Sequence, residues 1–162
     1  MSANRSKQKP QTIRFVIGLA ELFSTPFHQI GDSVVVGDLA SIEHHQSSFP
    51  GDPTGFEAFV NHIHLEDIFS GLISPIGEER EILLKIGKSI ITVWGDRMAG
   101  ILGERQVLFY LGGQDTVALR FHIDRNDGKS WVDISDSNFL EQEQLKIFRI
   151  TKSGITLVYG AT

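Results

Sequence analysis

The chain contains no cysteine. Disulfides, thiolate metal centres and cysteine nucleophiles are therefore excluded, and a core must hold the 162 residues together without covalent staples. No apolar run approaches the roughly 18 residues of a membrane span. Near the start, Phe15-Val16-Ile17-Gly18-Leu19-Ala20 is stopped by Arg14 and Glu21, short of the roughly 7 residues that open the range for a secretory signal. Cations are in deficit too. A net charge of −5 speaks against a nucleic-acid surface, because phosphates are bound by clustered Lys and Arg that displace counterions. A soluble, cytoplasmic protein without membrane span or nucleic-acid partner is expected.

What is present fits one domain, since a chain of this size buries roughly 70% of the surface it exposes when unfolded. Residues 1–11 carry Arg5, Lys7 and Lys9 without an acid and are expected to form a flexible basic arm, leaving 12–162 as a single α+β domain. No repeat or linker divides it.

Ile13, Phe15, Ile17 and Leu19 alternate, which predicts a strand within 12–23. Val34-Val35-Val36, between two Gly-Asp turns, predicts another. Thr54 and Glu57 have capping-box spacing, and Phe56, Phe59, Val60 and Ile63 follow at helical intervals, predicting a helix over about 55–70 that ends at Gly71. Gly87-Lys88 reads as the turn of a hairpin over 81–94. Strands are predicted over 106–111 and 117–124, turned by Gly112-Gly113. Asp127-Gly128 then suits a type I′ turn, which sets Val132 against Ile123 and Ile134 against Phe121. A last hairpin joins 145–150 to 155–159, and 136–144 is too polar for a central strand. Together these predict an α+β fold: a curved antiparallel sheet of about six to eight strands with the helix at 55–70 packed on it. The alternatives are a cone-shaped sheet like that of nuclear transport factor 2 and a β barrel with a lid helix.

Four of the six histidines, His44, His45, His62 and His64, lie within 44–64, among Glu43, Glu57, Glu66 and Asp67. His62-x-His64 invites a zinc or other divalent site, but on a helix the two rings point about 200° apart. A helix could still present His62 with Glu66, or His64 with Asp67 or Glu57, joined by a ligand such as His44 from elsewhere, and no cofactor is expected. The cupin signature is not met, because Glu66 follows too soon and no second motif comes after it.

The predicted hairpin gathers Arg120, His122, Asp124 and Trp131 on one face, a binding surface of the kind aromatic and arginine side chains build. Asp133 opposite His122 would make an acid/base pair, with His64 a third candidate for catalysis. Sequence motifs for catalysis fail on context. Gly87-Lys88-Ser89 lacks the upstream glycine of a phosphate loop, Asp124 to Gly128 lacks the glutamate of a calcium loop, and Gly31-Asp32-Ser33 has no late D-x-x-H. The expected function is a non-catalytic binding or assembly module that contacts a protein partner through a sheet face and the N-terminal arm. The alternative is a small-molecule-binding protein or an enzyme with a histidine/carboxylate pocket, with or without a metal.

Overall fold

Leu83, Leu84, Gly87, Ile90, Ile91, Trp94, Met98 and Leu102 recur every three or four residues, and in the structure, a computed structural model, they form the buried stripe of a 25-residue helix. Residues 4–69 and 73–160 are described, with the backbone alone for 4–12. In chain order the elements are α1 (Asn4–Ser24), β1 (Phe27–Ile30), β2 (Ser33–Val36), α2 (Leu39–Gln46), α3 (Pro53–Val60), β3 (Ile63–His64), the single turn α4 (Leu65–Ile68), the long α5 (Glu78–Leu102), β4 (Gln106–Gly112), β5 (Ala118–Asp124), α6 (Ser137–Gln142), β6 (Lys146–Thr151) and β7 (Gly154–Tyr159).

The fold is α+β. Five antiparallel strands run in the order β3-β5-β4-β6-β7, and β1 and β2 form a separate hairpin. The sheet is open, with β3 and β7 at its ends, so it is not a barrel. Val107, Phe109 and Leu111 of β4, Leu119, Phe121 and Ile123 of β5, and Phe148 and Ile150 of β6 share one face and meet the α5 stripe in the main core. Each such side chain, taken out of water, stabilises the fold by about 1.5–3 kcal/mol. Trp94 sits at the centre, edge-on to Phe27 and near Phe121, and its indole N–H donates to the Leu22 carbonyl at 3.0 Å. Arg97 donates to the Phe23 carbonyl at 2.6 Å, so two carbonyls that the end of α1 leaves without helical partners are satisfied from α5.

The β1–β2 hairpin is joined to the sheet by side chains of α3. The Glu57 carboxylate accepts the amides of Val34 on β2 at 2.7 Å and Ile123 on β5 at 2.9 Å. One turn on, Asn61 accepts the Val36 amide at 3.0 Å and donates to the carbonyls of Val34 at 2.9 Å and Phe121 at 3.3 Å. Both side chains are fully buried, and each backbone group they reach lies where a neighbouring strand would otherwise have to pair.

Several expectations are corrected. The segment 12–23 is helical because Phe15, Leu19, Leu22 and Phe23, four and three residues apart, face the core while Ile13, Val16 and Ile17 stay exposed. The expected arm falls partly on 1–3, outside the described residues, and otherwise on the first turns of α1. The principal helix is α5, not 55–70. Gly87 is no turn but a flat place on α5 where Leu111 and Leu65 pack. The helix begun in α3 stops at Asn61, and its N-cap is Asp52, which accepts the Gly55 amide at 2.9 Å, so no Thr54–Glu57 capping box forms. After Asp127-Gly128 the chain does not return as a strand. Asp127 accepts the Lys129 amide and Asp133 the Ser135 amide in two local turns, and Asp136 caps α6 by accepting the Phe139 amide, so the backbone leaves β5.

Candidate functional site

The face of the sheet turned away from α5 carries the polar chemistry. In β3 the register pairs Ile63 with Leu119 and His64 with Ala118, so Ile63 goes to the core and His62 and His64 point together to the other side. The divergence expected of a helix is thereby overturned: the two rings lie 4.5 Å apart, tilted by 49°. His64 Nδ1 is 3.3 Å from Glu66 Oε1, while Glu66 Oε2 accepts the Val117 amide at 3.1 Å. Burial first, then Arg120 and His64, push the His62 ring down to about 4, so it is neutral at pH 7.

Beyond His62 in the same register stands Arg120 of β5. Its guanidinium lies 3.9 Å from the centre of the Trp131 ring, a cation–π stack with a half-exposed indole. Its Nε is buried without a hydrogen-bond partner, and no carboxylate pairs with the group among the described residues. Burial draws Arg120 down to about 10, which leaves it charged.

His122, two residues on, is wholly buried and its hydrogen bonds have one direction. Nδ1–H donates to the Ile123 carbonyl at 2.9 Å, which leaves Nε2 to accept from the Tyr110 hydroxyl at 2.9 Å and the Trp131 amide at 3.3 Å. With its one proton given to His122, Tyr110 accepts in turn from the Ser130 hydroxyl at 2.6 Å. Burial lowers the His122 pKa below its ordinary value and raises Tyr110 to about 12, so both stay neutral. The chain Ser130–Tyr110–His122 fixes the loop that carries Trp131 onto the sheet.

Other expected residues are placed differently. Asp124 lies 3.4 Å from Arg149 of β6, beside a cleft of about 1150 Å³ that Asp52, Trp131 and Asp133 also line. Asp133 does not reach His122. It is fully exposed, and the Ser135 hydroxyl and amide hold its carboxyl below the usual range. His44 stands on α2, its ring 5.6 Å from that of His45. Among the described residues no group of three or more His, Asp and Glu side chains is placed to share a metal ion, so His62, Glu66 and His44 do not converge.

Sequence reasoning missed Glu57, Asn61, Tyr110 and Ser130. The first pair had a signal, two polar residues one turn apart on an otherwise apolar helix. Tyr110 follows from the register, being opposite Arg120 on β4. No curated protein and no solved structure matches the chain. Residues 1–153 do match the Uncharacterized protein PM0498 family, and the chain belongs to that family.

Proposed function

We propose that this protein is a cytoplasmic, non-catalytic binding module that engages a protein partner through the polar sheet face, assisted by its basic N-terminal segment. The observation that carries this reading is Arg120: a half-buried cation, stacked on Trp131 and without a carboxylate partner among the described residues. A desolvated guanidinium gains most from a planar carboxylate brought by another molecule, and Arg and Trp are the types whose truncation at an interface costs about 2 kcal/mol or more. The saturation of His122 supports the same side. Both ring nitrogens are engaged inside the protein, which leaves no lone pair or proton for a substrate.

Affinity capture from native cells tests it, with the intact chain compared with Arg120→Ala, Trp131→Ala and a chain lacking residues 1–11. Loss of one specific protein with either face variant, and its reduced recovery without the N-terminal segment, is expected. Undiminished recovery with both face variants contradicts the reading.

A second reading, a site for a small ligand or a divalent metal, has the side-by-side rings of His62 and His64 in its favour. Two imidazoles make half a tetrahedral zinc site, and Glu66 is already held by the Val117 amide. Titration of the imidazoles by NMR with and without zinc separates the two, since only a site moves both rings together at stoichiometric metal.

A further inference from the structure

A second surface lies on the α5 side of the sheet. β7 ends the sheet, and among the described residues no strand pairs with its outer edge. Edge strands are ordinarily blunted by charge or proline, yet Gly154–Tyr159 reads GITLVY and has neither. Beside it, between α5 and the inner face of β6 and β7, runs a groove of about 480 Å³ whose floor includes Leu84, Ile91, Phe148, Ile155 and Leu157. Its rim carries Lys85, Lys88 and Lys146 against the single carboxylate of Glu81. That is a positive rim on a chain of net charge −5.

We infer that the β7 edge and this groove together receive an extended acidic segment of another protein, which adds a sixth strand to the sheet. Backbone groups of such a segment pair with β7, and its inward-facing residues, every second one along the strand, set apolar side chains on the groove floor and carboxylates against the lysines. Charge selects the occupant. A second copy docked through the same patch would set lysine rim against lysine rim, which like-charge repulsion opposes. This surface is separate from the Arg120 face, so either can fail alone.

The probe is a capped heptapeptide, Glu-Thr-Val-Thr-Glu-Thr-Val, which lays glutamate and valine on one face of a strand, titrated into the ¹⁵N-labelled full chain. Saturable shifts of the Gly154–Tyr159 amides are expected, unaffected by Arg120→Ala and weakened about tenfold by Lys85→Glu with Lys88→Glu. The same peptide N-methylated along one edge, unable to donate there, should no longer bind. The inference is overturned by an absence of saturable shifts, by equal binding of a lysine–valine peptide, by full binding of the N-methylated peptide, or by indifference to the double substitution. Shifts at β7 that follow protein concentration without peptide would make the occupant a second copy and overturn it as well.

Discussion

Glu57 on α3 and Asn61, the residue that caps its C-terminal end, stand one turn apart and together take the place of a strand between β2 and β5. The carboxylate also holds Arg125 at 2.8 Å, so Glu57 has three charge-assisted or amide partners and no exposure to water. Glu57→Ala leaves the Arg125 charge and two buried amides unanswered and is expected to destabilise the fold by about 3–5 kcal/mol. Glu57→Gln turns an NH₂ group on one of those donors and should cost about 1–3 kcal/mol. Urea unfolding of the two variants measures both. A loss below 1 kcal/mol for Glu57→Ala would mean the hairpin is held by something else.

On the proposed function, Arg120 and Trp131 serve a partner more than the fold. Trp131→Ala should lower stability by only about 0.5–1 kcal/mol, the worth of one exposed cation–π stack. Thermal unfolding reads this directly. A loss of several kcal/mol would make the pair a structural clasp.

Acid weakens the protein through its neutral histidines. His122 and His62 both have folded pKa values below the 6.5 of the unfolded chain, His62 at about 4. Their stabilising contribution is complete above pH 6.5 and is lost as pH falls towards the folded values, because the unfolded chain takes up the protons first. Urea midpoints should therefore fall from about pH 7 to pH 5, less steeply in His62→Asn. At pH 7 the ring ¹⁵N shifts of His122 should show a protonated Nδ1 and a bare Nε2. The opposite tautomer would break the Ser130–Tyr110–His122 direction.

Two glycines of α5 separate packing from helix propensity. A Cβ on Gly100 meets nothing within 4 Å, so Gly100→Ala should stabilise by about 0.5–1 kcal/mol. A Cβ on Gly87 runs into Leu111 and presses Leu65 at 3.1 Å, so Gly87→Ala should destabilise by about 1–3 kcal/mol despite the same propensity gain. Equal effects at the two positions would contradict the close packing of α5 on the sheet.

The strands with water-free alternation and glycine turns were legible from the sequence: β2, β4, β5 and the β6–β7 hairpin stand where expected. The antiparallel α+β class and the Arg120–His122–Asp124 side of β5 were legible for the same reason. The helices were harder. In α5, Gly87-Lys88 imitates a hairpin turn, although Ile90, Ile91, Trp94 and Met98 keep helical intervals beyond it. In α1, apolar residues alternate at 13, 15 and 17, while the interval that matters runs from Phe15 through Leu19 to Phe23. The face carrying His62 was misjudged because pairing to β5, about 55 residues on in the chain, pulls 63–64 into a strand against their local helical pattern.

The most direct test is the affinity of the captured partner for the intact protein and for Arg120→Ala, measured by titration calorimetry. A weakening of about tenfold or more, with stability nearly unchanged, is predicted. Equal affinity of the two proteins would contradict the account.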